Sequence, residues 1–107
     1  MGARVTAGAG REDLADLEGW FRASGLAPRT WSNGPGDRFD WHDHPYHKVL
    51  VCRRGDIVFH TRDGDLRLGP GDRLDIEPGT EHAATVGRGG VTCVEAAREA
   101  APGDVPT

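Results

Sequence analysis

The 107-residue sequence is short of basic residues, of long apolar runs and of secretory features, and each shortage excludes a class of protein. Lys and Arg total 13 against 17 Asp and Glu, and this net charge of −4, with no basic stripe, argues against nucleic acid as the partner. No apolar run approaches the roughly 18 residues that a membrane-spanning helix needs. Residues 1–10 lack the apolar core of a secretory signal, so we expect a cytoplasmic protein.

Serine and cysteine, two common catalytic nucleophiles, are scarce and lie outside any catalytic motif. Ser24 and Ser32 are the only serines, and neither lies in a Gly-x-Ser-x-Gly pattern. The glycine-rich segment 87–90 lacks the Lys-Ser/Thr pair of a phosphate-binding loop. Cys52 and Cys93 are far apart in apolar runs, without the paired spacing of a zinc knuckle. We therefore expect two buried free thiols.

Glycine and proline are plentiful and divide the chain into short segments. There are 16 glycines and seven prolines, a composition typical of many short strands joined by turns. Alternating and apolar patterns predict strands at residues 29–32, 38–42, 48–53, 57–62, 66–68, 74–76, 82–86 and 91–96. Turn signals at Gly55-Asp56, Asp63-Gly64 and residues 87–90 separate some of them. About eight strands fit a double-sheet jelly roll, although the pattern alone also permits another sandwich or barrel.

The length of the chain predicts a single domain with a helix before the strands. Apolar residues recur at three- and four-residue steps between about residues 12 and 24, which indicates an amphipathic helix. Residues 1–10 and 99–107 are rich in small residues, and we expect both to be flexible tails. The domain then spans residues 11–98, with the barrel between about residues 29 and 97.

Three of the five histidines, His42, His44 and His47, lie within six residues. Because His42 and His44 are two positions apart, they point to the same face if this segment is a strand. His82 follows a Pro78-Gly79 turn, and a strand beginning there can bring a third imidazole to the same place. Neutral imidazole is the commonest protein ligand for transition metals. The histidine pattern therefore predicts a metal site.

The spacing around these histidines resembles the first motif of the cupin family. Five residues separate Gly36 from His42, three separate His44 from Lys48, and six separate Lys48 from Gly55. The family motif has Glu at the position of Lys48, so this chain departs from the pattern at one metal-binding position.

A second stretch, 15 residues further on, resembles the second cupin motif. Five residues separate Gly71 from Glu77, where the family usually has Pro, and two separate Gly79 from His82. The resemblance covers roughly residues 30–97 and is closest to small single-domain cupins of the RmlC-like jelly-roll family. It implies an all-β fold, the cupin double-stranded β-helix or jelly-roll barrel, with one short N-terminal helix.

The cupin resemblance also implies a ligand set and a cofactor. His42, His44 and His82 are the expected metal ligands, with His47 as a further candidate, although simple alternation turns His47 away from the pocket. The expected cofactor is a divalent transition metal, drawn from Fe, Ni, Cu, Zn or Mn. Imidazole-rich sites favour Fe, Ni, Cu or Zn over Mg or Ca.

Lys48 raises an electrostatic question at this site. An ammonium group and a divalent cation at about 4 Å repel each other by several kcal/mol even at an effective dielectric constant of about 20. Three arrangements avoid this repulsion. The lysine turns its side chain away, or it loses its proton on burial, or the site holds no metal and Lys48 binds an anionic ligand.

Two functional classes follow from the resemblance. The first is a metal-dependent enzyme acting on a small molecule in the barrel pocket, of oxygenase or isomerase type, with Lys48 and His47 as candidate catalytic residues. The second is a non-catalytic cupin that binds a small anion without metal. Neither names a substrate. Small cupins usually pair, and the run 49–52 is apolar on both faces, so we also expect a homodimer.

Overall fold

The computed structural model describes residues 2–98, which form seven strands and one α-helix. The strands are β1 (Ala3–Thr6), β2 (Arg29–Asn33), β3 (Arg38–His42), β4 (His47–Thr61), β5 (Gly64–Leu68), β6 (Arg73–Ile76) and β7 (His82–Arg98). A 3₁₀ turn, Arg11–Asp16, leads directly into the helix α1 (Leu17–Ala23). No helix among the described residues is long and apolar enough to cross a membrane.

The strands form two antiparallel layers that share the long strands β4 and β7. In the first layer the order is β1-β6-β4-β7-β2, built on the first half of β4 and the second half of β7. In the second layer, β5 pairs with the second half of β4, and β3 pairs with the first half of β7. The predicted all-β jelly roll with one short N-terminal helix is confirmed.

The turns predicted at Gly55-Asp56 and at residues 87–90 are wrong, because β4 and β7 continue through them as bent strands. The β4–β7 ladder spans both segments, with a shift of register beside Gly55. Gly55 (φ +81°) and Gly90 (φ +76°) meet at this bend, where a Cβ on Gly55 would collide with the carbonyl oxygen of Gly90. The two glycines thus let both strands bend together and pass from one layer to the other.

Both faces of the first half of β4 are covered within the chain. Leu50 and Cys52 point between the layers into the main core. Val49 and Val51 point to the other face and pack with buried residues of α1. All four side chains are at most 1% exposed. The apolar run 49–52 is therefore covered by the main core on one face and by α1 on the other, and it does not supply a surface for a second copy.

The predicted helix over about residues 12–24 is divided into two parts. The first part, Arg11–Asp16, is 3₁₀, and the α-helix proper is Leu17–Ala23. The carboxylate of Asp16 accepts a hydrogen bond from the backbone N–H of Gly19 at 3.0 Å. This N-cap satisfies one of the free N–H groups of the first turn, so the α-helix begins after Asp16.

The predicted N-terminal tail is wrong for Ala3–Thr6, which form an edge strand on Arg73–Ile76. The backbone N–H of Gly2 also donates to the Glu77 carboxylate at 2.8 Å. Small residues make this segment resemble a tail in the sequence, but its hydrogen bonds come from a strand distant along the chain. The domain therefore begins before residue 11. The predicted C-terminal tail, residues 99–107, lies outside the described residues.

Candidate metal centre

Three histidines meet at one end of the second layer. His42 is the last residue of β3 and His82 is the first residue of β7, and their Cα atoms are partners in the ladder. His44 lies just beyond β3, in the connection to β4. One potential ligand atom from each of the three lies within 4.8 Å of the others. The structure thus brings together the three residues that the cupin resemblance names as ligands.

Hydrogen bonds to the backbone determine which ring nitrogen carries the proton in two of these histidines. The Nδ1 of His42 lies 2.6 Å from the carbonyl oxygen of Asp40, and the Nδ1 of His82 lies 2.8 Å from that of Thr80. A carbonyl oxygen only accepts, so each Nδ1–H is the donor. In the neutral form of either ring, the Nε2 atom is then left with a free lone pair, as metal ligation requires.

Two of the Nε2 atoms are buried without a hydrogen-bond partner. The Nε2 atoms of His44 and His82 have no partner among residues 2–98. A buried polar atom without a partner is rare and costs about 1–3 kcal/mol. The nitrogens of the cluster are of the type that binds Zn, Fe, Ni or Cu. The donor set therefore fits a divalent transition metal, which would satisfy both orphaned atoms at once.

Burial keeps His44 and His82 in their ligating form. Burial, reinforced by the nearby charges of Lys48, His42 and His82, lowers the pKa of His44 from 6.5 to about 4. Burial likewise lowers the pKa of His82, an effect that its hydrogen bond to Thr80 partly opposes. Both imidazoles are therefore neutral at pH 7, when a metal competes with few protons for them.

The histidines open onto a cavity of about 260 Å³ between the layers. At about 30 Å³ per water molecule, this is space for roughly nine waters, which suits a small molecule. Apolar and aromatic side chains form much of its wall, among them Trp31, Phe39, Leu50 and Phe59. Such a wall is typical of a small-molecule site in which a few polar groups determine orientation.

Lys48 lines this cavity and is paired with a carboxylate of its own chain. Its Nζ lies 3.4 Å from the Oε2 of Glu95, and both side chains are 12% exposed. Glu95 also accepts a hydrogen bond from Trp31 Nε1 at 2.7 Å, and its Oε2 lies 3.6 Å from the guanidinium of Arg29. This pairing is not among the three arrangements of Lys48 considered from the sequence. Lys48 thus lines the pocket with its ammonium group paired to a largely buried carboxylate.

Several pocket residues were not identified from the sequence, among them Glu95, Trp31 and Tyr46. Glu95 could have been noticed as the one carboxylate in the apolar run of residues 91–97, although nothing local shows that it reaches Lys48. Tyr46 stacks on the ring of His44, with centroids 4.8 Å apart and planes at 21°. Burial and the charge of Glu95 raise the pKa of Tyr46, so its hydroxyl remains protonated at pH 7.

His47, the further candidate ligand, lies in a different environment. Its Nε2 is 2.8 Å from the Oδ1 of Asp75, a carboxylate that is 2% exposed. Arg73 binds the same carboxylate, at 2.9 Å from Nε to Oδ2. Burial raises the pKa of Asp75, but the hydrogen bonds from Arg73 and His47 outweigh it and lower the pKa below its usual value. The structure does not bring His47 to the other three histidines.

Residues 30–104 match the family model of the AraC-like ligand binding domain. The chain belongs to this family. Residues 30–98 of the matched region include β3 to β7 and all of β2 except Arg29. They contain the three histidines of the cluster and both Lys48 and Glu95 of the cavity wall. The N-terminal strand and helix lie outside the match.

Similarity to individual proteins extends across much of this AraC-like domain. A chain from crystal structures of DMSP lyases is 29% identical, with a TM-score of 0.65 over 77% of this chain and 43% of that one. A cupin-2 domain protein of Shewanella frigidimarina is 20% identical, with a TM-score of 0.59 over 68% of this chain and 71% of that one, which shows the fold alone. An acetyl-coenzyme A synthetase of Streptomyces avermitilis is 32% identical over 87 residues. That match spans 78% of this chain but 13% of the synthetase.

Proposed function

We propose that this domain holds a divalent transition metal on His42, His44 and His82 and uses it to act on a small molecule in the adjoining cavity. The supporting observation is the pair of buried Nε2 atoms, on His44 and His82, that lack any partner among the described residues. Three imidazoles and no carboxylate favour Fe, Ni, Cu or Zn, with Mn less suited to the donor set. Three protein ligands leave coordination positions open for a substrate.

When bound, the metal would supply Lewis-acid activation of an oxygen atom of the substrate. The residues of the chain provide orientation and proton transfer around that atom. Tyr46, with its hydroxyl protonated, can donate a hydrogen bond or a proton from its position over His44. Lys48 places a positive charge on the same cavity, and Glu95 keeps it there. The apolar wall excludes water from the reacting groups.

Proton transfer is the reaction class that these groups support best. Tyr46 and Lys48 are both proton-carrying groups on the cavity wall. The similarity, at 29% identity, to a chain from structures of DMSP lyases agrees with a lyase or isomerase reaction of this kind. The alternative within the same site is the oxygenase chemistry implied by cupins with three-histidine iron centres. Oxygen uptake by iron-loaded protein in the presence of small carboxylates would favour that alternative, and its absence would favour proton transfer.

Elemental analysis of protein purified without a chelator or affinity tag tests the proposal. We expect about one transition metal per chain in the parent protein and none in the His82→Ala variant. A parent protein that contains no metal and does not take up Zn²⁺, Fe²⁺ or Ni²⁺ on titration would contradict it. The variant should be compared with the parent by circular dichroism, so that loss of metal is not confused with loss of fold.

A second candidate is a non-catalytic module that binds a small anion without metal. Membership of the AraC-like ligand binding domain family favours it, because the family is described by ligand binding rather than by a reaction. The buried ammonium of Lys48 supplies a positive group for such a ligand. Metal-free protein that binds small anions as tightly as metal-loaded protein would favour this candidate over the enzyme.

A further inference from the structure

Lys48 stands where the cupin motif has a metal-binding carboxylate, and the structure shows how this cation is retained. Its side chain is 12% exposed and its Nζ faces the Oε2 of Glu95 at 3.4 Å. Lys48 is also close enough to His44 and His82 that its charge lowers the pKa of both. A buried ammonium beside a prospective metal is unfavourable unless it serves a purpose or has a fixed counter-charge.

Glu95 is a fixed counter-charge rather than a free ligand. One of its oxygens accepts the Trp31 indole N–H at 2.7 Å, and the other faces both Lys48 and Arg29, at 3.4 and 3.6 Å. These partners hold the carboxylate against the cavity wall. The ammonium of Lys48 has three N–H donors, and among residues 2–98 the structure places one carboxylate, that of Glu95, within ion-pair distance of it. Donors therefore remain for a ligand.

The charges on the cavity wall favour an anionic ligand. Lys48 and Arg29 carry two positive charges and Glu95 carries one negative charge, so the charged lining residues have a net charge of +1 when the histidines are neutral. A divalent metal on the histidines would increase this positive charge. The remaining wall, including Leu50 and Phe59, is apolar. A ligand that complements both parts has one anionic end and an apolar body of a few atoms.

We propose that the ligand of this site is a small monocarboxylate with an apolar body, and that Lys48 is the residue that selects the carboxylate. This inference rests on the proposed function, because it places the carboxylate beside the metal-binding histidines. Glu95 is a positioning residue that holds the Lys48 ammonium in the cavity. Lys48 then has opposite effects on the two occupants of the site: it weakens metal binding by repulsion and strengthens carboxylate binding by attraction.

This opposition separates a ligand-binding role from a structural one. The Lys48→Met variant keeps most of the side-chain volume without the charge. It should bind Zn²⁺ about tenfold more tightly and benzoate at least about tenfold more weakly than the parent. A residue that served only to stabilise the fold would not move these two affinities in opposite directions. Arg67→Met is the matched control, because it removes the same charge from a side chain that is 76% exposed and lies outside the residues that line the cavity, and it should change both affinities much less.

Calorimetric titration of zinc-loaded and metal-free protein with benzoate and with neutral benzamide is the test. In the metal-free protein, where no zinc attracts the carboxylate, we expect the parent to bind benzoate more tightly than benzamide and Lys48→Met to bind the two about equally. In the zinc-loaded protein, Lys48→Met should bind benzoate more weakly than the parent. Should Lys48→Met unfold because Glu95 loses its partner, the double variant Lys48→Met/Glu95→Gln removes both charges and is compared instead. If the parent binds zinc but the metal-free parent does not prefer benzoate, or if that preference survives without Lys48, the inference is overturned while the metal site stands.

A different result would count against the proposed function itself. If the parent does not bind zinc, the metal site is wrong, and the benzoate titration of metal-free protein then decides the role of Lys48 alone. A benzoate preference that disappears in Lys48→Met would preserve the carboxylate site without metal. No such preference would overturn the inference as well.

Discussion

His42 and His82 are Cα partners across the β3–β7 ladder, and their rings lie with centroids 4.3 Å apart. Each ring also donates its Nδ1–H to the carbonyl oxygen of the residue two positions earlier, Asp40 for His42 and Thr80 for His82. The two imidazoles are therefore positioned by their own strands and held in the same tautomer before any ligand binds. Such preorganisation reduces the entropy lost when a metal is bound.

Removal of either partner of this pair should abolish metal binding. We expect His42→Ala and His82→Ala to bind no Zn²⁺ in calorimetric titration, since two imidazoles remain from the predicted set of three. His47→Ala is the matched control, because His47 is bonded to Asp75 and not to the cluster, and it should change zinc affinity by less than about threefold. Binding of zinc by His42→Ala as tightly as by the parent would show that the assignment of the site is wrong.

Lys48→Glu should restore the carboxylate of the cupin motif and should also destabilise the metal-free protein. We expect zinc affinity to rise by about tenfold or more, because a repelling charge is replaced by an attracting one. The new carboxylate would lie beside that of Glu95, and the two negative charges would repel each other. The free energy of unfolding of the metal-free variant should therefore be roughly 2 kcal/mol lower than that of the parent. Calorimetry and urea unfolding measure the two effects. Weaker zinc binding by Lys48→Glu would contradict the predicted ligand geometry.

The metal-free protein should lose stability as the pH falls from about 6.5 to about 4. The unfolded chain gains a proton on His44 near its ordinary pKa of 6.5, whereas the folded chain does so only at about 4. Protons therefore favour the unfolded state in this window, and the lowered pKa of His82 acts in the same direction. After allowance for solvent screening, we expect a loss of about 1–2 kcal/mol in the free energy of unfolding. Urea unfolding at several pH values measures it.

Two controls accompany the pH experiment. His44→Gln should flatten the dependence between pH 6.5 and 4, whereas bound zinc should steepen it, because the folded protein then takes up no proton on this ring while the unfolded chain still does. Below pH 4 a further loss is expected, because the Arg53 hydrogen bond lowers the pKa of Glu18 from 4.5 to about 2. A parent protein whose stability is constant from pH 7 to pH 4 would rule out a buried neutral His44.

Gly55→Ala should destabilise the fold at the bend shared by β4 and β7. Its φ of +81° disfavours any side chain, and its Cβ would collide with the Gly90 carbonyl oxygen. We expect a loss of about 2–4 kcal/mol, from the backbone penalty and the clash together. Gly25→Ala is the matched control, since Gly25 has the same φ of +81° and open space around it, and it should lose only the backbone part. If urea unfolding gave the same loss of free energy of unfolding for both variants, the clash with Gly90 would not contribute.

The homodimer predicted from the sequence remains a prediction with narrower support. The apolar run 49–52 is covered by the main core and by α1, so it no longer argues for a second copy. What remains is the presence of strand edges, such as that of β2, which lies at the end of the first layer and would be protected by pairing. We expect light scattering at micromolar concentration to give a mass of twice the 11.5 kDa chain. A mass equal to that of one chain would contradict the predicted homodimer.

The sequence determined the strands and the histidines that lie close along the chain or within a motif. The alternation at residues 38–42 and the spacing of His42, His44 and His82 were sufficient to predict the jelly roll and the three side chains that the structure brings together. These features are visible because strand periodicity and turn residues are local properties, which act over a few neighbouring positions.

Only the tertiary structure decided how distant segments meet. The two segments predicted as turns are bends within long strands, where Gly55 and Gly90 contact each other. Ala3–Thr6 form a strand because they pair with Arg73–Ile76. The tertiary structure also placed Glu95 against Lys48, which determines the charge of the cavity. In each case the deciding contact joins residues on different strands. Their pairing depends on the register between β4 and its neighbours, which the periodicity of a single segment does not specify.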